Sequence, residues 1–248
     1  MTIDRRRVLV TGGGSGLGSD LARGFAAAGA EVIVAGRRQE ALDAVAASAR
    51  DIVPYVVDVT DEADVVRLFA DFESFDIVVA NAGAAASASF TRTELEVWRQ
   101  MLDVNLTGVF LTLREGLRKM HGRDWGRLIT IASTAGLKGY PYVAAYTAAK
   151  HGAVGLTRAI AQEVAATGIT ANALCPGYLA TEMTDRTIAN IVASTGRSGA
   201  DAKQALLRFN PQHRLIEPSE VTAAALWLCG PGSESINGQA IAIAGGEV

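Results

Sequence analysis

The chain has 248 residues, 49% hydrophobic and 20% charged, which suits one large α/β domain burying roughly three quarters of its unfolded-chain surface without a disulfide or metal staple. A net charge of −3, from 23 Lys and Arg against 26 Asp and Glu, offers no broad attraction for nucleic acid or an anionic membrane. Cys175 and Cys229 form no CxxC or ligand-spaced cluster with His121, His151 or His213, so no metal is expected; the opening residues lack an apolar leader, making the cytoplasm the expected compartment.

The first strand signal covers residues 7–11, and Arg5-Arg6-Arg7 at its start reads as a solvated entry segment. A helix over 17–28 follows, then a strand at 31–35, a helix at 39–48, a strand at 52–57, a helix at 62–69 and a strand at 76–80. The second half continues with a helix over 94–120, a strand at 127–132, a helix at 142–166, a strand at 168–174, a helix at 219–228 and a strand at 239–243. This alternation predicts a doubly wound Rossmann fold, a seven-stranded parallel sheet flanked by helices on both faces, with the functional loops at the strands' C-terminal ends. No linker divides residues 1–248, so one domain is expected; 181–214 breaks the alternation as a polar, mobile, partly helical substrate lid.

Between the first strand and its helix stands Thr11-Gly12-Gly13-Gly14-Ser15-Gly16-Leu17-Gly18. Glycines permit positive φ and let a phosphate approach bare backbone, while the helix N-terminus offers free N–H groups and a positive dipole end. A pyrophosphate fits there, and a second strand ending about 20 residues later places an adenosine ribose near Gly36-Arg37-Arg38. The spacing is Gly12-x-x-x-Gly16-x-Gly18 after Thr11, a departure from GxGxxG.

With Asn81-Ala82-Gly83 after the fourth strand and Tyr146-x-x-x-Lys150 on a later helix, this TGxxxGxG loop resembles the short-chain dehydrogenase/reductase family over nearly the whole chain. Asp58-Val59, Asn105, Ser133, and Pro176-Gly177 followed by Thr181 match it further. The resemblance implies hydride transfer between a nicotinamide cofactor and a secondary alcohol or ketone. Such chemistry needs a group that takes or gives the hydroxyl proton. Tyr146 is the candidate; its unperturbed pKa of about 10 has to be lowered for base chemistry near neutrality, and Lys150 at i+4 supplies a positive charge on the same face. Four lysines among 248 positions give five tyrosines about an 8% chance of one such pair, so Ser133, at family spacing before Tyr146, adds weight.

By resemblance, Ser133 bonds the substrate oxygen and stabilises developing charge. Asn105 holds a water linking Lys150 to solvent, the alternative being a helix-breaking structural amide. Gly12, Ser15, Gly16, Leu17 and Gly18 cradle the cofactor, as do Tyr146 and Lys150 further on. Asp58, with Val59 beside it, accepts from the adenine amino group, caps the next helix, or both. Asn81, Ala82 and Gly83 line the adenosine side, and Pro176, Gly177 and Thr181 position the nicotinamide. His151 reads as structural, because adjacent helix positions point differently.

Gly36 stands where an NAD-preferring site places a carboxylate, and Arg37 or Arg38 can bond a 2′-phosphate at about 1.5–3 kcal/mol each. NADP(H) is therefore favoured and NAD(H) is the alternative, with Ser15 standing where many NADP-dependent relatives carry a second basic residue. Residues 84–89, 137–142, Tyr178 and the lid surround the substrate, a small-molecule alcohol or ketone with 3-hydroxyacyl and 3-oxoacyl compounds suggested by the resemblance. Wide apolar content on helices 94–120 and 142–166 points to a homo-oligomer, a tetramer or dimer. A catalytically silent dinucleotide-binding sensor or partner subunit is the competing reading, opposed by the intact Ser133, Tyr146 and Lys150. A methyltransferase would have no use for Tyr146-x-x-x-Lys150.

Overall fold

The structure is a computed structural model describing residues 3–248. Strand β1 (Arg7–Thr11) sends Val8 and Val10 into one buried cluster and Leu9 into another, because successive side chains in a strand face opposite ways. Strands β2 (Glu31–Gly36) and β4 (Ile77–Ala80) do the same: Val32, Val34, Ile77 and Val79 join the first cluster, Ile33 and Val78 the second. A sheet with two apolar faces needs helices on both, which is why the strands read as unbroken apolar runs.

The sheet is completed by β3 (Ile52–Val56), β5 (Gly126–Ile131), β6 (Ile169–Pro176) and β7 (Ala240–Ile243), all parallel, in the order β3-β2-β1-β4-β5-β6-β7. Leu21 and Phe25 of α1 (Gly16–Ala27), Leu42 of α2 (Gln39–Ala46) and Val221 of a later helix, Pro218–Cys229, cover one face. Leu68 and Phe69 of α3 (Glu62–Asp71) cover the other. The chain order reverses between β1 and β4, and the loops leaving those two strands open a crevice at their C-terminal ends, where an open α/β sheet binds ligand.

Three expectations need correction. The helix over 94–120 is two, α4 (Leu95–Leu102) and α5 (Gly108–Met120), joined by a π-helical turn, Asp103–Thr107. The cause is Asn105, fully buried, whose amide leaves its helix to bond Ala84. The helix over 142–166 is α6 (Ala144–Glu163); it starts two residues late because Tyr142 sits at φ +69°, in the left-handed region. Asp58 does not cap α3: that place belongs to Asp61, which accepts from Ala63 and Asp64 N–H groups, while Asp58 accepts from the Thr60 backbone and hydroxyl.

The segment 181–214 holds two helices, α7 (Glu182–Thr195) and α8 (Gly199–Leu207), before Pro218–Cys229, here α9. Ala202, Leu206 and Leu207 are buried, so this part has a small apolar underside of its own.

Candidate active site

The glycine loop is held by residues it does not contain. Thr11 Oγ1 accepts from the Asn81 and Ala82 N–H groups at 3.0 and 3.1 Å, and Asn81 Nδ2 donates to the Thr11 carbonyl at 2.8 Å and the Gly12 carbonyl at 3.3 Å. A Cβ at Gly12 would lie 2.8 Å from Ala82 Cα, and one at Gly18 would run into the Gly12 carbonyl. These are close backbone approaches only glycine allows, and Gly12 and Gly16 also take positive φ, +66° and +51°. Gly13 and Gly14 pack instead against Val34 and Ala41.

Ser15 is the N-cap of α1, yet its side chain makes no capping bond, and no acidic residue occupies the first turn around Leu17 and Gly18. The helix therefore presents an uncompensated positive end and a free hydroxyl, a donor set that fits a dinucleotide's phosphates. Thr181 N-caps α7 from across the crevice, and its side chain would be 3.4 Å from a Cβ on Gly16. Gly16 and Thr181, 165 positions apart, are thus brought to one place by the sheet.

At the ribose end, Gly36 has room, a Cβ there meeting only Leu42 at 3.7 Å. Arg37 is 74% exposed with Nη1 4.0 Å from the Asp58 carboxylate, and Arg38 is an exposed N-cap of α2 without a capping bond. Val59, beside Asp58, is buried and limits the approach of α5, since a Cβ at Gly108 would lie 2.9 Å from Val59 Cγ2.

Ser133 follows β5 and opens a short helical turn, Thr134–Gly136, its Oγ accepting from Ala135 N–H at 3.1 Å. Tyr146 and Lys150 stand one turn apart on α6, with the ammonium 5.7 Å from the phenol ring centre. Lys150 is 3% exposed and donates to the Ile131 carbonyl at 2.9 Å. Burial pulls its pKa down to about 8, because an ammonium cut off from water is costly.

Tyr146 departs from expectation. Burial pushes its pKa up to about 12, with the nearby Ser133 hydroxyl pulling the other way. The i+4 lysine does not lower it in the protein alone, since Lys150 is spent on a backbone carbonyl and both groups suffer desolvation.

Asn105 donates to the Ala84 carbonyl at 2.9 Å and the Met101 carbonyl at 3.0 Å and accepts from Ala84 N–H at 3.2 Å. A Cβ on Gly83 would sit 2.9 Å from Asn105 Oδ1 and 3.7 Å from Lys150 Nζ. Gly83, expected on the adenosine side, therefore lies where Asn105 and Lys150 meet, while Ala82 and Asn81 stay with the glycine loop. Pro176 ends β6 and Gly177 follows it, next to the carboxylate of Glu247. His151 is exposed and bonds only the Thr147 carbonyl, as a structural residue does. Cys175 and Cys229 are buried and free. Among the described residues no His, Cys, Asp and Glu group could hold a metal, and no helix is long and apolar enough to cross a membrane.

A family model described as short chain dehydrogenase matches residues 6–191, three quarters of the chain. The chain belongs to the short-chain dehydrogenase/reductase family. As a family member it is an oxidoreductase that moves a hydride between a nicotinamide cofactor and a secondary alcohol or ketone. It is 33% identical to a D-beta-hydroxybutyrate dehydrogenase of Rhizobium meliloti, over 97% of this chain and 98% of that one. It is 34% identical to a putative ketoacyl reductase of Streptomyces coelicolor, over 99% and 98%. A crystal structure of an actinorhodin polyketide ketoreductase variant with NADPH superposes at a TM-score of 0.94 with 33% identity, covering 98% of this chain and 97% of that one.

Sequence reasoning missed the Thr11 hydroxyl as the tie between the two loops, although Thr11 was part of the motif. It also missed Glu247, which carries no motif at all, and it gave residues 137–142 to the substrate surroundings without singling out Lys138 or Tyr140.

Proposed function

We propose that this enzyme reduces a ketone, with 3-oxoacyl compounds as the substrate class and NADPH as the reductant. The observation that carries the reading is the Tyr146 phenol set beside the Ser133 hydroxyl, one helical turn from the Lys150 ammonium. Bound NADPH supplies the hydride. Ser133 donates to the ketone oxygen, Tyr146 gives that oxygen its proton, and the Lys150 ammonium favours the phenolate left behind. The Asn105 side chain is bonded to Ala84 and Met101, which supports its role as the structural amide of the π turn. Residues 1–248 work as one catalytic domain in the cytoplasm, with 181–214 as the lid. The reductase names among the relatives and the NADPH carried by the structural neighbour support the reading.

NADP(H) preference rests on Arg37 and the open space at Gly36. Wild type is expected to show roughly tenfold to hundredfold higher kcat/KM with NADPH than NADH, from one or two charge-assisted bonds to the phosphate. Gly36→Asp with Arg37→Ala reverses that order, and equal use of NADH by wild type overturns it.

Lys150 contributes its charge only below its pKa. The kcat/KM for the cofactor, which reports the free enzyme, therefore falls as pH rises through about 8. Tyr146, at about 12, stays protonated and adds no limb at neutral pH. A level profile across pH 8 contradicts the role given to Lys150.

Assembly is proposed as a homo-oligomer, a tetramer or dimer. Gly155 lies in the middle of α6, exposed, with nothing within 4 Å of where its Cβ would be. Helix-interior glycine costs about 1 kcal/mol relative to alanine, and the single chain gives no return for it, whereas a second copy packed closely on this face does. Light scattering is expected to show an oligomer that Gly155→Arg dissociates; a wild-type monomer at micromolar concentration refutes it.

A further inference from the structure

Glu247 stands one residue from the end of the chain, yet its side chain is only 2% exposed. A buried carboxylate is costly unless charge or hydrogen bonds compensate it. Lys138 Nζ lies 3.2 Å from Oε1 and also donates to the Glu247 backbone carbonyl at 3.1 Å, and the Tyr140 hydroxyl donates to Oε1. Both partners belong to the loop between the Ser133 turn and α6.

Tyr140 extends the link in two directions. Its oxygen is 2.8 Å from Thr134 Oγ1. A phenol has one proton, the carboxylate takes it, and the Thr134 hydroxyl is left to donate back. Thr134 is the residue after Ser133, in the turn that Ser133 itself opens. The Tyr140 ring meets Phe209 edge-on at 5.5 Å, just beyond α8, and Phe209 meets Tyr178 at 6.2 Å. The other carboxylate oxygen would be 3.3 Å from a Cβ on Gly177. The Ser133 turn, the end of β6, the foot of the lid and the C-terminal tail thus meet at one carboxylate.

We propose that Glu247 is a positioning residue for the ketone side of the site: acting through Tyr140, it fixes the turn that carries Ser133 and the Tyr140, Phe209 and Tyr178 wall beneath the lid. A carboxylate that only pinned the tail would need neither the phenol nor the bond onward to Thr134. The inference rests on the role proposed for Ser133.

The test compares wild type with Glu247→Ala, Glu247→Gln, Tyr140→Phe and the Glu247→Ala/Tyr140→Phe double variant, using 3-oxoacyl thioesters and NADPH. Glu247→Ala and Tyr140→Phe are each expected to raise the ketone KM roughly tenfold while leaving the NADPH KM within about twofold. The double variant should be no worse than either single one, because both cut the same connection. Glu247→Gln keeps an acceptor for the phenol and should fall within about threefold of wild type; if Glu247→Ala does not fold, Tyr140→Phe cuts the same link from the other side and carries both the KM and the exchange test. Hydrogen exchange, free of any assay, should quicken in residues 133–137 and 199–209 of Glu247→Ala with the sheet unchanged. Wild-type exchange in both segments, or effects that multiply in the double variant, overturn the inference. If wild type reduces no ketone, the proposed function falls, and the exchange comparison still decides whether Glu247 holds these segments.

Discussion

Tyr146→Phe is expected to lower turnover by about 10²-fold or more while NADPH still binds with near wild-type affinity. The phenol lies beside the Ser133 hydroxyl, and its raised pKa keeps it protonated at neutral pH, as the proposed proton donor to a ketone oxygen must be. Phenylalanine keeps the ring, whose centre lies 5.7 Å from the Lys150 ammonium, and removes only the hydroxyl, so the fold and the cofactor side should be left alone. The loss should therefore fall on kcat rather than on cofactor binding. Steady-state turnover with a fluorescence titration of NADPH separates the two; near-normal turnover removes Tyr146 from the mechanism.

Gly18→Ala is expected to weaken NADPH binding about 10²-fold, the second large effect. The added methyl group has nowhere to go: it would overlap the Gly12 carbonyl and lie 2.7 Å from Asn81 Nδ2. Either the loop backbone shifts or the Asn81 amide lets go of the Thr11 and Gly12 carbonyls, and both spoil the spacing of N–H groups that receive the phosphates. Rearranging a packed position commonly costs about 1–3 kcal/mol, and displaced phosphate contacts add to it. Gly230→Ala is the matched comparison, because its new methyl meets only the Trp227 and Leu226 carbonyls, at 3.4 and 3.7 Å, in ordinary contact. Titration calorimetry with NADPH on both variants decides the matter: equal affinities would mean that Gly18 serves helix packing alone.

What the sequence by itself determined is the part of the molecule built from near neighbours. Alternation of β-branched runs and helical spacing marked all seven strands, because a side chain's facing depends on periods of 2.0 and 3.6 residues and not on distant contacts. The glycine loop was readable for the same reason, its chemistry lying within eight consecutive residues from Thr11 to Gly18, and Tyr146 with Lys150 share a helix face by spacing alone.

Tertiary structure decided everything that depends on which loops the crossovers bring together. The break between α4 and α5 follows from Asn105 reaching Ala84, 21 residues back, which helical periodicity cannot register. Whether Asp58 or Asp61 caps α3 turned on which carboxylate the chain aims at the first turn, and both are acidic residues at plausible spacing. The raised pKa of Tyr146 reflects burial, a property of the surrounding fold, and it outweighed the lysine that spacing alone had favoured. Glu247 is the extreme case: it meets Tyr140 across 107 residues, and only the return of the last strand beside β6 carries that carboxylate to the Ser133 turn.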